Sequence, residues 1–198
     1  MARSDIPKPQ GKKAVVNEII KCGADPIYFI KNYVHIAHPT RGSIKFDTYP
    51  FQDQCVKDFQ DNRFNIVLKS RQLGLSTIAA AYCLWMAVFQ QNKQILVIAT
   101  KLDVAKLFLS KIATMWDSLP DWLVLTKVHG RSVKYIEFTN GSRITAIPTS
   151  AETGRGQSVS LLLVDECVSG ETHITIRNKE TGEIRNIEIR DLFNPEYQ

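Results

Sequence analysis

The residue pattern predicts an α/β architecture: a parallel sheet with flanking helices, followed by a short β-hairpin. Apolar runs of strand length alternate with longer segments of helical spacing between Asn65 and Asp117, the rhythm of βα units. A glycine-punctuated loop, Lys69 to Thr77, stands between one such run and an apolar helix. Further on, Leu161 to Val164 lead straight into Asp165 and Glu166. Such a run reads as a buried parallel strand presenting two carboxylates at its carboxyl edge, where ligands of open α/β sheets collect.

At 198 residues and 44% hydrophobic content the chain can bury a real core, and nothing in its composition resembles a disordered or fibrous protein. Its formal charge is +5, distributed as 21 basic and 14 acidic residues up to Glu166 and 4 and 6 after it. The basic excess belongs to the first part, where it permits a phosphate-rich partner without demanding one. Cys22, Cys55, Cys83 and Cys167 show no CxxC spacing, which argues against a zinc site or a disulfide framework and fits a reducing compartment. The first three lie among apolar residues and read as small buried hydrophobes. No run approaches the ~18 apolar residues of a membrane span, and the polar start lacks a signal-peptide core. A soluble, cytosolic protein with no membrane partner is expected.

Residues 1–13 read as a mobile arm. From Ala14 to about His38 apolar residues recur at helical spacing, with Asp25 and Pro26 supplying a cap and a first-turn proline between two short helices. His35 and His38 lack a nearby carboxylate or cysteine and read as surface histidines. A further helix runs from about Tyr49 to Asn62. Its Gln52 offers a donor and an acceptor to an adenine edge, although the same segment reads as an ordinary helix start. Asn65 to Leu68 reads as a short strand, and Ile78 to Phe89 as an apolar helix beyond the loop. Gln94 to Thr100 and Leu102 to Asp117 repeat the strand–helix unit, the helix carrying Val104, Leu107, Phe108, Ile112 and Trp116 on one face. Asn140-Gly141 is a hairpin turn between Val133–Phe138 and Arg143–Ile147. Trp85, Trp116 and Trp122 fall on apolar faces and read as core.

Measured against GxxxxGK[ST], the loop keeps Gly74 and Ser76 in register but has Leu75 at the lysine position and Lys69 at the first glycine. Lys69 and Arg71 are both candidates for the missing cation. Strand, loop and helix form the context in which backbone N–H groups converge on an anion; the plain alternative is a strand-to-helix turn with a capping serine. In the same frame Asp165 suits a water-mediated hold on Mg²⁺ with Ser76 as direct ligand, and Glu166 suits orienting an attacking water.

The segments KSRQLGLST, ILVIATKLDVAKLF and TSAETGRGQSVSLLLVDE together resemble the ATPase domain of the large terminase subunit of tailed bacteriophages, over about Asp25 to Glu166. That resemblance implies a P-loop NTPase fold with ATP and Mg²⁺ as cofactors. It assigns nucleotide contacts to Gln52, Lys69, Ser70, Arg71, Gln72, Leu73, Gly74, Leu75, Ser76 and Thr77. Ser76 and Asp165 would serve the metal, Glu166 would be the catalytic carboxylate, and Arg155 would couple nucleotide state. It also implies double-stranded DNA, the portal and the small terminase subunit as partners, in the cytoplasm of the infected host cell. The family continues past its acidic pair with a coupling strand and a nuclease domain, so a sheet cut there is expected to be marginal and a poor catalyst.

Beyond Glu166 the character changes. Cys167 with small residues behind it heads a segment in which Ile174, Ile176, Ile184, Ile187 and Ile189 alternate with polar residues about a Lys179–Gly182 turn, a β-hairpin pattern. This tail resembles the amino-terminal block of inteins, with their Hint-type fold. By that resemblance the Cys167 thiolate attacks the carbonyl of Glu166 and converts the amide into a thioester. The family's Thr-x-x-His block and terminal His-Asn pair do not occur, and a tail below ~40 residues does not sustain a fold unaided. The expected organisation is an arm and helices (1–45), a truncated ATPase domain (46–166) and an amino-terminal split-intein fragment (167–198). The expected function is that of a packaging-motor precursor, completed by trans-splicing to a polypeptide carrying the remaining intein and terminase parts. The rivals are a self-contained helicase-like DNA translocase and an inactive, truncated terminase acting as a binding module.

Overall fold

Asp25 divides the first two helices, α1 (Lys12–Ala24) and α2 (Pro26–Tyr33), in a computed structural model that describes residues 6–38, 40–67, 69, 72–149, 158–165, 173–177, 182 and 184–188. Its carboxylate accepts from the backbone N–H of Ile27 at 2.8 Å and of Tyr28 at 3.1 Å, while Pro26 starts α2 without needing a donor. The arm is not wholly detached, because Ile6 packs against the core. Contrary to the helical expectation, His35–His38 forms β1, antiparallel to β2 (Gly42–Lys45). Pro39 disfavours the helical region for the residue before it, and the Phe46 N–H bonds back to the Val34 carbonyl at 2.9 Å.

The expected helices follow as α3 (Pro50–Asp61) and α4 (Leu75–Phe89). Asn65, Ile66 and Val67, expected to be a strand, form none, and Leu68 lies outside the described residues. Ile66 is 65% exposed and Val67 43%. An apolar run becomes a strand only where a neighbour supplies the ladder, and no described strand pairs with this one.

β3 (Gln94–Ala99) and α5 (Leu102–Asp117) form the next unit, followed by a 3₁₀ turn at Asp121–Leu123. β4 (Val128–Arg131), β5 (Tyr135–Phe138), β6 (Arg143–Pro148) and β7 (Leu161–Asp165) complete a five-stranded sheet of order β4-β5-β6-β3-β7. The sheet is mixed rather than parallel. β3 runs parallel to both β6 and β7, whereas β5 is antiparallel to β6 and to β4. The Asn140-Gly141 turn is the cause: it is far too short for the crossover that a parallel pair requires. Gly141 adopts φ +80°, and Asn140 donates to the carbonyls of Ala87 at 2.8 Å and Gln90 at 3.1 Å. The hairpin turn thereby caps the carboxyl end of α4.

α4 is apolar on almost every side and lies at the centre of the core. It packs on α2, α3 and α5 and reaches β6, while α5 lies across β3, β5 and β6. Trp85 donates from its indole to the Cys22 carbonyl at 2.8 Å, tying α4 to α1. Trp85 and Trp116 are buried, and Trp122 packs partly buried against the core, as expected. The expected face of α5 needs one correction. Leu107 is 59% exposed, and the buried stripe runs through Ala105, Phe108, Leu109, Ile112 and Trp116. One step along a helix turns a side chain by about 100°, which carries Leu107 off the stripe beginning at Phe108. Leu161 and Leu163 of β7 face the core, and alternation sends Leu162 and Val164 to the other, exposed face.

The chain divides into two compact units, Met1–Asp165 and Glu166–Gln198. The described part of the second is the expected hairpin: β8 (His173–Arg177) lies antiparallel to β9 (Ile184–Glu188), with Ile174 opposite Ile187. No helix among the described residues is long and apolar enough to cross a membrane.

Glu18 stitches α1 to α2, accepting from the Tyr28 hydroxyl at 2.5 Å and the Tyr33 hydroxyl at 2.7 Å. The Tyr28 bond, foremost, holds the Glu18 carboxyl below its usual range, and the same bond pushes the Tyr28 phenol up to about 12. A depressed carboxyl stabilises the fold above its unfolded pKa of about 4.3 and loses that contribution as pH falls through the folded value. A raised phenol stabilises below about 10 and loses its contribution as pH rises toward the folded value. Glu18→Ala is therefore expected to cost about 2 kcal/mol, measured by urea unfolding. The difference from the unmodified chain should be largest between about pH 5 and 10 and shrink on either side.

Candidate functional site

The carboxyl edge of β7 and the start of α4 meet. Ser76, in the first turn of α4, donates to Asp165 Oδ2 at 2.7 Å across a separation of 89 residues. Lys69 Nζ lies 3.3 Å from the other carboxylate oxygen. The side chains of Lys69 and Asp165 are 28% and 12% exposed, so this ion pair sits in a partly closed site.

The turn into α4 is made by Gln72 at φ +64° and Gly74 at φ +69°, and no described side chain caps the helix. An uncapped start leaves backbone donors and the positive end of the helix dipole facing the loop. Leu75, at the lysine position of the usual motif, packs against the core; among the described residues Lys69 is a cation that reaches the acidic strand. Thr77 closes the first turn, its N–H bonding the Gly74 carbonyl at 3.0 Å.

Gln52 is 2% exposed, and its amide is engaged at both ends. Its Oε1 accepts from the Tyr49 N–H at 3.1 Å, and its Nε2 donates to the Leu73 carbonyl at 2.9 Å. The side chain thus pins the start of α3 to the crown of the loop. A Cβ added at Gly74 would lie 2.7 Å from that Nε2, so glycine is required there for space as well as for φ. Beside this latch the rings of Tyr49 and Phe51 stack at 5.6 Å and are largely exposed. Both aromatics belong to the helix start read around Gln52, and the fold adds their stacking.

Gln52, Lys69, Leu73, Gly74, Ser76 and Asp165 are therefore neighbours, while Gln72 is exposed on the same loop. Ser70, Arg71, Arg155, Glu166 and Cys167 lie outside the described residues. Among the described residues no group of three His, Cys, Asp or Glu could hold a metal. One hydroxyl and one carboxylate fit Mg²⁺, which keeps most of its water and takes remaining ligands from substrate phosphates. Cys22 and Cys83 are buried, and burial pushes both thiols up to about 12, which leaves them unreactive.

A family model described as "Terminase large subunit, T4likevirus-type, N-terminal" matches residues 66–173, more than half of the chain and seven residues beyond Glu166. The crystal structure of the HK97 bacteriophage large terminase is similar in fold, with a TM-score of 0.55 at 21% sequence identity. That similarity covers 72% of this chain and 30% of the HK97 protein, so the present chain spans less than a third of its length.

The latch can be tested by a double-mutant cycle. Gln52→Ala is expected to destabilise by about 1–2 kcal/mol through two lost hydrogen bonds, and Gly74→Ala by a similar amount through its positive φ and the clash. In the Gln52→Ala background the clash is gone, so Gly74→Ala should cost about 0.5–1 kcal/mol less in urea unfolding.

Proposed function

The chain belongs to the terminase large-subunit family, as an amino-terminal part of it, and from that premise we propose that it is the front portion of an ATP-driven DNA-packaging motor. The observation that carries this reading is the Ser76–Asp165–Lys69 constellation, which joins a glycine-turned helix start to the end of an acidic strand. ATP and Mg²⁺ are the cofactors. Lys69 and the loop N–H groups hold phosphate oxygens, and Ser76 with Asp165 holds the metal. Bound there, Mg²⁺ supplies neutralisation and orientation of the phosphate chain. Glu166, next in sequence to Asp165, takes a proton from the attacking water. Double-stranded DNA, the portal and the small terminase subunit are the partners.

The segment from Cys167 onward is proposed to be the amino-terminal piece of a split intein. The cysteine placed directly after the acidic pair, and the hairpin of β8 and β9, support that reading. Sγ of Cys167 attacks the Glu166 carbonyl, the C–N bond breaks as the C–S bond forms, and the released amine takes up the proton. The thioester then passes the chain 1–166 to a complementary polypeptide carrying the remaining intein and terminase parts.

Mixing the chain with that polypeptide is expected to yield a ligated species by mass spectrometry. Cys167→Ala should abolish ligation while leaving association, measured by co-elution, intact. DNA-stimulated ATP turnover is expected to be negligible before ligation and to appear after it; turnover by the isolated chain would instead favour a self-contained translocase.

A further inference from the structure

We propose that the sheet face opposite α4 and α5 is a docking surface for an amphipathic helix bearing a carboxylate, supplied by the part of the terminase large subunit that this chain does not carry. The inference rests on the terminase reading above and adds to it the place where the two parts of the motor meet. Strand alternation sorts the residues of the sheet into two sets. One set, with Ile95, Val97, Ile144 and Leu163, packs in the core with α4 and α5. The other set is largely apolar too. The parallel registers align Thr145, Leu96 and Leu162 in one row and Ile147, Ile98 and Val164 in the next. Leu162 is 51% exposed and Val164 49%, and Ile147 is half-buried. An antiparallel sheet can leave one face to water, whereas parallel strands are covered on both faces by helices and read accordingly as unbroken apolar runs. Ile95–Ala99 and Leu161–Val164 are such runs. The second face is therefore composed for a cover, and among the described residues α4 and α5 cover the first.

Charge narrows the occupant. At the amino end of the same face Arg143 packs over the Tyr135 ring, 4.1 Å from its centroid, and its Nε is buried without a hydrogen-bond partner. Glu137 lies opposite Arg143 in register without accepting from that Nε. A carboxylate on the incoming helix satisfies the guanidinium while the apolar side of the helix covers Leu162 and Val164. Length indicates the source. The chain spans 30% of the HK97 protein, so the larger share of a large subunit is left to furnish the helix.

The test uses the full chain and the polypeptide carrying the remaining terminase part, prepared without its intein piece so that neither ligation nor intein pairing contributes, with association read by calorimetry. Leu162→Thr combined with Val164→Thr, which leaves β-branched side chains on β7, is expected to weaken association at least about tenfold. Arg143→Met, which keeps a side chain over Tyr135, is expected to weaken it about tenfold. Urea midpoints should stay those of the unmodified chain, and if the threonine variant unfolds, Arg143→Met alone decides. Unchanged association of either folded variant overturns the proposal, as does no association of the unmodified chain. If that chain still ligates to the intact partner, only the docking face fails; if it neither associates nor ligates, the terminase-precursor reading falls with it. Self-association in sedimentation that the threonine variant loses would assign the face to a second copy and overturn the proposal as well.

Discussion

Helix α4 has almost no polar face to offer water, and that constraint organises the first unit of the molecule. A helix apolar all round must be enclosed, and here α2, α3 and α5 surround it with β6 in reach. Enclosure fixes its axis, and Asn140 fixes its far end by accepting the role of carboxyl cap from a hairpin turn across the core. Once the axis is set, the first turn has one place to be. Ser76 projects at the carboxyl edge of β7, where the register of β3 against both β6 and β7 delivers Asp165.

The chemistry of the loop follows from what the core takes and what it leaves. Leu75 is drawn inward, which removes a position that could have carried charge. Gly74 is forced to positive φ under the Gln52 amide, and Gln52, committed to Tyr49 and Leu73, becomes part of the scaffold of the site. Lys69 is then the cation nearest the acidic strand among the described residues, and it is held there by an ion pair shielded enough from solvent to matter.

The lines that were legible in the sequence share a local cause. Asp25 with Pro26, Asn140 with Gly141, and the run Leu161–Asp165 declare themselves within a few residues, because caps, turns and buried strands are written in adjacent side chains. The acidic strand and the glycine-turned loop were visible as separate pieces. Elements that depended on distant neighbours were misread. Asn65–Val67 has strand composition but no ladder among the described residues, His35–His38 shares apolar spacing with a helix but pairs with Gly42–Lys45, and Leu107 fits a helical face that the sheet does not cover. Gln52 has the chemistry to read a base, and its bond to the Tyr49 N–H is local, but nothing near it in sequence signals that the Leu73 carbonyl engages its amide.

The amino-acid order alone determined which residues could do chemistry here: a loop with one glycine turn and a displaced lysine, two adjacent carboxylates after an apolar run, and a cysteine immediately behind them. Tertiary structure alone decided which of these meet. Ser76 and Asp165 lie 89 residues apart, and their contact is set by the tilt of α4 and the register of three parallel strands, quantities that emerge from packing a whole core. Local preference acts over a turn or a hairpin, whereas a hydrogen bond between distant segments exists only once burial has chosen how every intervening element lies.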